Sequence, residues 1–392
     1  MTRIRLKKNE DRRIRGGHPW VFSNEIERID GEREAGVAAE LFDAGGAFLG
    51  CGYYTPHSLI AFRLLSRKQE DIDSVQFYEQ RIAAALAHRQ ALYPGLATFR
   101  AVYGESDFLP GLVVDKYGEY LSIQMLSAGM DVRRDLVLEA LQRVFAPAGI
   151  IGANARAVRR LEKLEEKVEV LAGEIPELVE MEENGLRFLV NLREGQKTGG
   201  FLDQKQNHLL LRDICRDRAV LDCFCYAGSW AVHAGHYGAA SALGLDISAR
   251  AVEQAAQNAR LNGVSDRVRF EECDVFERLR SLKHEGAGFD VIVMDPPAFV
   301  KSRKSIAEAT KGYLTVNRRA LELLHPGGYL ITCSCSFHMG REPFREMLAG
   351  AARLARREVR LVATCSQAPD HPVLLSFPES EYLKCFVLQV AA

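Results

Sequence analysis

Two apolar runs in the second half of the chain end in residues that can do chemistry. Gly327-Gly328-Tyr329-Leu330-Ile331 leads into Thr332-Cys333-Ser334-Cys335-Ser336. Upstream, Phe289-Asp290-Val291-Ile292-Val293-Met294 leads into Asp295-Pro296-Pro297-Ala298-Phe299. Short apolar runs of this kind read as buried strands. Two reactive tips after such strands predict a site at the carboxyl edge of a parallel sheet. A thiol placed there can act as a nucleophile. Cys333 and Cys335 lie two apart and would share one face of a strand; Cys335 is nearer the loop. The C-x-C spacing, with no second pair at zinc spacing, argues against a metal. Cys333 reads as a buried structural thiol, and His338 also reads as structural. Asp295-Pro296-Pro297 is stiff because both prolines fix φ, so it can hold a flat substrate at the mouth of a site.

Other strand ends carry acids. Val220-Leu221-Asp222-Cys223-Phe224-Cys225-Tyr226-Ala227-Gly228-Ser229 reads as a strand turning into a helix. Gly228, without a Cβ, lets backbone approach a ligand closely. One glycine stands where a dinucleotide fingerprint wants three, which argues against NAD and FAD. Gly244-Leu245-Asp246 ends the next strand, and Asp246 can accept from both hydroxyls of a ribose. Glu272-Cys273-Asp274 ends a third, where Asp274 can accept from an adenine amino group or cap a helix. Asp222, Asp246 and Asp274 together predict a nucleoside-type cofactor.

The elements that must position these residues fall into three regions. Residues 1–72 are rich in glycine and short strands, such as Phe48–Tyr54 and Leu59–Leu65, and predict a small all-β barrel or sandwich. Residues 73–185 predict a small α+β domain. It has helices at Val75–Tyr93, Val132–Phe145 and Arg156–Glu166. Its strands read at Leu112–Asp115, Tyr120–Met125, Gly149–Ala153, Val168–Leu171 and Leu178–Met181. Residues 186–392 alternate strands and helices, which predicts a doubly wound parallel sheet. Strands read at Ala219–Cys223, Ser241–Leu245, Val268–Glu272, Asp290–Met294 and Tyr329–Cys333. Val359–Cys365 and Tyr382–Val390 read as an antiparallel pair at one edge. Seven such strands are the layout of class I S-adenosylmethionine methyltransferases, a Rossmann-like fold.

Length and composition bound the rest. A chain of 392 residues is too long for one ordinary core. No apolar run is long enough to span a membrane, and the charged opening shows no signal peptide. Nine cysteines without a secretion signal predict reduced thiols and a cytoplasmic setting. The net charge of −1 does not imply nucleic acid globally. Two local basic clusters can still neutralise phosphates: Arg12, Arg13 and Arg15 near the start, and Lys301, Arg303 and Lys304 after the Asp295 tip.

Taken together, these motifs resemble the bacterial ribosomal RNA large subunit methyltransferase I family, whose members are 23S rRNA 5-methylcytosine methyltransferases. The resemblance covers nearly the whole chain. It rests on Gly17-His18-Pro19-Trp20-Val21-Phe22 and on Leu109-Pro110-Gly111-Leu112-Val113-Val114-Asp115. Its most specific motif is Gly195-Gln196-Lys197-Thr198-Gly199-Gly200-Phe201-Leu202-Asp203-Gln204. The Asp222–Gly228 loop, the Asp295 and Cys335 tips, His371-Pro372-Val373-Leu374-Leu375 and Tyr382-Leu383-Lys384 complete it. Gly104-Glu105-Ser106-Asp107 replaces a more glycine-rich stretch.

The resemblance implies a PUA RNA-binding domain at the start and S-adenosylmethionine as cofactor. It implies cofactor contacts from Gln196, Thr198, Phe201, Asp222, Phe224, Tyr226, Gly228, Asp246, Asp274 and Asp295. The implied substrate is 23S rRNA or a large-subunit precursor, at cytosine 1962. It implies covalent catalysis through Cys335, in the Thr-Cys-Ser region where many such enzymes keep their nucleophile. Those enzymes carry a second cysteine beside the proline of the fourth-strand motif, where this chain has Ala298. Asp295, acting through water, is then the candidate for removing the C5 proton. No metal and no membrane are implied, and a homodimer is left open. Two alternatives stand beside this reading. One is an N-methyltransferase of guanine or adenine that uses Asp295-Pro296-Pro297. The other is a non-catalytic RNA-binding protein.

Overall fold

The computed structural model describes residues 1–299 and 306–392. Lys301, Arg303 and Lys304 lie outside the described residues. The chain folds as two compact units. One comprises Met1–Glu182, Val190–Leu202 and Pro369–Ser380; the other comprises Glu183–Leu189, Asp203–Ala368 and Glu381–Ala392.

The first unit holds two sheets. A six-stranded sheet runs in the order Trp20–Phe22, Ile60–Ser66, Phe48–Tyr54, Val37–Phe42, Thr2–Leu6 and Ile26–Asp30. Thr2–Leu6 alternates buried and exposed residues, as a half-buried strand should. Ile4, Leu6, Val21, Leu41 and Phe62 form its core. A five-stranded sheet runs from Val168–Gly173 through Gly149–Ala153, Tyr120–Met125 and Leu112–Tyr117 to Thr98–Tyr103. Helices Val75–Leu92 and Arg134–Phe145 contribute Phe77, Ile82, Val137 and Leu141 to its core.

Three sequence readings in this unit are corrected. Thr98–Tyr103 is a strand that was not expected. It carries Arg100, whose guanidinium makes a two-pronged bond to buried Asp115 at 2.8 and 2.7 Å. A buried ion pair thus occupies a position that breaks the apolar pattern. The expected helix Arg156–Glu166 is a single turn, Val158–Leu161. Two of its charges are interior: Arg159 is buried and donates to the Glu165 carbonyl at 2.7 Å, and buried Glu162 pairs with Arg63 at 2.7 Å. The expected helix from Val132 is two helices, Ala128–Val132 and Arg134–Phe145. Arg133, at the break, donates to the carbonyls of Gly36 and Gly129 at 2.6 and 3.0 Å.

Segment Pro369–Ser380 is fastened into this unit by charge. Fully buried Asp370 accepts from the Arg100 N–H at 2.9 Å, and its carbonyl accepts from Arg89 at 2.9 Å.

The second unit is built on a seven-stranded sheet. Its order is Val268–Glu272, Ser241–Asp246, Ala219–Cys223, Phe289–Met294, Leu324–Ser334, Lys384–Val390 and Val359–Cys365. The first five are mutually parallel, and Lys384–Val390 is antiparallel to both of its neighbours. Numbered by sequence, this is the order 3-2-1-4-5-7-6, with the switch point between Ala219–Cys223 and Phe289–Met294. Leu221, Ile292 and Leu330 from the central strands pack with Val316 and Leu321 of helix Ile306–Leu323 and with Leu348 of helix Arg341–Ala355. Each such aliphatic side chain contributes roughly 1.5–3 kcal/mol through burial. Central strands buried on both faces read as continuous apolar runs, which is why Ala219–Cys223 has its expected bounds; Leu324–Ser334 starts before the expected Tyr329–Cys333 because Pro326, Gly327 and Gly328 read as a turn.

Candidate functional site

Parallel strands bring their carboxyl ends to one edge, so Asp222, Asp246, Asp295 and Cys335 emerge along the same rim. Asp222 faces Val293 across the switch point, and Met294 faces Thr332 one strand further.

The loop after Ala219–Cys223 is tightly wound. Phe224, Tyr226 and Gly228 take left-handed φ values of 63°, 46° and 82°. Two non-glycine residues in that region cost energy that the surroundings must offset. Hydrogen bonds supply part of it: Tyr226 N–H donates to Asp246 Oδ2 at 2.9 Å, and Cys225 N–H to the Leu245 carbonyl at 2.9 Å. A Cβ on Gly228 would meet Ala255 and Phe270 at 2.8 Å. The need for glycine there comes from these protein neighbours as well as from φ, which refines the expectation of a close ligand approach.

Asp222 is fully buried beneath this loop. Its Oδ2 accepts from the Ala231 N–H at 3.1 Å in helix Ser229–His236, while Oδ1 has no hydrogen-bond partner among the described residues. Burial pushes its carboxyl well above the usual range, and the charges of Asp295 and Asp246 push the same way. Asp246 is half-buried and also accepts from the Ser248 N–H at 2.9 Å. Each of its oxygens retains a lone pair for a hydroxyl. Asp274 is exposed and caps helix Val275–His284, accepting from the Glu277 N–H at 3.0 Å. The helix-cap alternative for Asp274 is therefore realised.

Asp295 Oδ2 accepts from Gln204 Nε2 at 2.9 Å and from Trp230 Nε1 at 3.3 Å. Phe299 is half-buried against Tyr313, Phe276 and Phe224, with ring centroids 4.7, 6.0 and 6.4 Å away. It packs as part of the core margin.

The two cysteines of the fifth strand have different environments. Cys333 lies inside the strand and is fully buried; burial, then neighbouring Cys385, pushes its thiol well above the ordinary range. The strand ends at Ser334, so Cys335 has left it and is half-buried. The shared face expected from their spacing is lost for that reason. Helix Ile306–Leu323 clamps this tip. Tyr313 Oη is bonded to Ser334 Oγ at 3.0 Å and Ser336 Oγ at 2.9 Å. Thr332 Oγ1 donates to Asn317 Oδ1 at 2.7 Å.

The remaining expected residues lie in the first unit. Thr198 is buried and bonded to Asp115 Oδ2, and Tyr117 Oη accepts from the Gly200 N–H at 2.9 Å. The Gln196 carbonyl accepts from the Gly199 N–H at 2.9 Å, and Lys197 sits 4.4 Å from the centroid of the Phe201 ring. Arg12, Arg13 and Arg15 share one helical turn, Arg12–Arg15. Arg12 is exposed, Arg13 pairs with Glu25, and Arg15 pairs with Asp11 at 2.5 Å and Asp43 at 2.7 Å.

Sequence reasoning missed Gln204, Trp230, Tyr313 and Lys384 as residues of this rim. It also missed a buried group of Glu183, His208 and His233, whose ligand-type atoms lie within 4.8 Å of one another. His233 Nδ1–H donates to the Ser229 carbonyl at 2.7 Å, which leaves Nε2 to accept from Asn184 at 3.2 Å. The group reads as a hydrogen-bonded core network.

Comparisons with known proteins agree with this architecture. Residues 4–67 match the PUA-like domain family, and residues 126–374 match the S-adenosylmethionine-dependent methyltransferase family. A SAM-dependent methyltransferase from Streptococcus mutans shares the fold over 100% of both chains, with a TM-score of 0.85 at 21% identity. A methyltransferase solved in complex with SAH also covers 100% of both chains, with a TM-score of 0.86 at 21% identity. The protein is an S-adenosylmethionine-dependent methyltransferase with an N-terminal PUA-like domain. Ribosomal RNA large subunit methyltransferase I of Pseudoalteromonas atlantica is 39% identical over 99% of this chain and 99% of its own length. The chain belongs to the ribosomal RNA large subunit methyltransferase I family.

The cofactor suits the residues present. The unpartnered, buried Asp222 Oδ1 and the spare acceptor capacity of Asp246 lie on the rim where sheets of this kind bind ligands.

Proposed function

We propose that this protein methylates carbon 5 of a cytosine in large-subunit rRNA, at position 1962 of 23S rRNA, through a covalent step at Cys335. The observation that carries the reading is the contrast between the two thiols. Cys333 is sealed in the sheet, whereas Cys335 stands past the strand end, on the same rim as Asp295. This contrast supports Cys335, and not Cys333, as the attacking thiol.

Cytosine C5 is a poor nucleophile. The Cys335 thiolate adds to C6, forming an S–C6 bond, and the C5=C6 π pair moves to C5. Bound S-adenosylmethionine would supply the electrophilic methyl group that C5 takes, the broken S–CH3 pair leaving with S-adenosylhomocysteine. Removal of the C5 proton, for which Asp295 through water is the candidate, lets the C5–H pair re-form the C5=C6 bond as the S–C6 pair returns to sulfur, which regenerates Cys335. Asp222, Phe224, Tyr226, Gly228, Asp246, Asp274 and Asp295 are assigned to the cofactor in this reading, and the family resemblance also assigns Gln196, Thr198 and Phe201 to it. Arg12, Arg13 and Arg15, with Lys301, Arg303 and Lys304, are assigned to phosphate contacts. The base reaches the thiol flipped or single-stranded. The same reading divides the chain at 1–72, 73–185 and 186–392 and assigns it to the cytoplasm.

The test is nucleoside analysis of rRNA incubated with the wild type and Cys335→Ala. The expected result is 5-methylcytidine from the wild type and at least a thousandfold less from the variant, roughly the scale seen when a nucleophile is removed. Methylated guanine or adenine made by both proteins would support the N-methyltransferase reading instead.

A further inference from the structure

Lys384 is a lysine where an apolar residue would be expected. It is 4% exposed and opens strand Lys384–Val390. Because that strand runs antiparallel to Leu324–Ser334, its first residue reaches the same rim that collects the carboxyl ends of the parallel strands. Lys384 faces Ser334 in the register, and its Nζ donates to the Ser336 carbonyl at 2.7 Å and to the Tyr382 carbonyl at 2.7 Å. The side chain therefore spans the turn that holds Cys335.

Both hydrogen-bond acceptors are neutral carbonyls. A buried ammonium without a counter-charge is costly, by several kcal/mol for an isolated ion. The neighbouring carboxylate, Glu381, is already engaged by Arg341 at 2.5 Å. The charged and titratable groups that act on Lys384 are Cys335, Arg341 and Glu381, and Cys335 is the strongest of the three. Tyr313 approaches the same turn from helix Ile306–Leu323 through Ser334 and Ser336, and its phenol is pushed up by burial. Burial pushes Lys384 itself down to about 8, so at neutral pH it still carries its proton.

We infer that Lys384 is a positioning residue for the covalent step, its ammonium serving as the counter-charge that favours the thiolate of Cys335 before attack and after expulsion. The inference rests on the reading of Cys335 as the nucleophile. The thiol proton passes to solvent, and Lys384 keeps its own protons throughout. A cation beside a thiol lowers its pKa below the free value of about 8.5.

The test is alkylation of Cys335 by iodoacetamide across pH 5–10 in the full chain, read by peptide mass spectrometry. It is made on the wild type and on Lys384→Met, Lys384→Gln and Lys384→Arg, alongside 5-methylcytidine formation. The glutamine variant keeps a donor for the carbonyls, so it serves if the methionine variant fails to fold. Removing the charge is expected to raise the alkylation midpoint by about one pH unit and to slow alkylation and methylation at pH 7 about tenfold. The arginine variant is expected to keep the low midpoint, because its charge persists. A neutral variant with the wild-type midpoint and rate overturns the inference while leaving Cys335 in place. If Cys335→Ala still forms 5-methylcytidine, the covalent reading itself falls, and this inference with it.

Discussion

The backbone N–H of Tyr226 donates to Asp246 Oδ2 at 2.9 Å. This bond ties the loop after the first strand of the parallel sheet to the tip of the second. The carboxylate proposed to receive the ribose therefore also holds a left-handed tyrosine in place, at φ 46°. In the proposed reading, cofactor contact and loop shape depend on one side chain.

Asp246→Ala should weaken S-adenosylmethionine binding at least tenfold. Hydrogen bonds to charged groups are worth about 1.5–3 kcal/mol, and about 1.4 kcal/mol is a factor of ten in affinity. Isothermal titration calorimetry measures this. Wild-type affinity in the variant would mean the loop holds its shape and its ligand without the carboxylate.

Tyr313→Phe removes the hydroxyl that joins Ser334 and Ser336 on either side of Cys335. It should cost about 1–2 kcal/mol of stability. Methylation turnover should drop several-fold while cofactor affinity stays unchanged, because the lost bonds lie at the thiol tip. Denaturant unfolding and turnover together check it.

Acid should destabilise the second unit through His233. Burial, reinforced by His208, pushes its imidazole down to about 3, whereas an unfolded histidine titrates near about 6.5. Between those values the unfolded chain holds the proton and the folded chain does not. Stability is therefore present above about pH 6.5 and is lost as pH falls toward 3. Glu183 works in the same direction: burial raises its carboxyl, but His208 and His233 outweigh that and hold it low. Urea unfolding at pH 7 and pH 5 should show the wild type losing roughly 2 kcal/mol more than His233→Phe. Parallel losses in the two proteins would show that the histidine is not the acid-sensitive group.

What was legible in the sequence follows from what apolar periodicity can report. Gly149–Ala153 and Ala219–Cys223 have the expected bounds because each is a short, mostly apolar run buried along nearly its whole length. Thr98–Tyr103 was hidden because Arg100, a buried partner of Asp115, looks like a surface residue in one dimension. Arg159 and Glu162 misled in the same way, suggesting a charged helix where they are interior partners.

The rim shows the same division. Asp246 and Asp295 were readable because each follows an apolar run directly. Lys384 was not, because it arrives from the start of a strand, and only the antiparallel pairing with Leu324–Ser334 turns that start toward the site. Gln204 and Trp230 were likewise visible only through their shared acceptor, Asp295 Oδ2.

The most direct measurement is mass spectrometry of the protein after incubation with S-adenosylmethionine and an rRNA fragment carrying 5-fluorocytosine at the target position. Fluorine replaces the proton whose loss would release the enzyme, so the S–C6 bond should persist. One stable protein–RNA adduct per chain is expected, mapped to Cys335 and absent in Cys335→Ala. Methylated product without an adduct, or an adduct mapped to Cys333 or another cysteine, would contradict it.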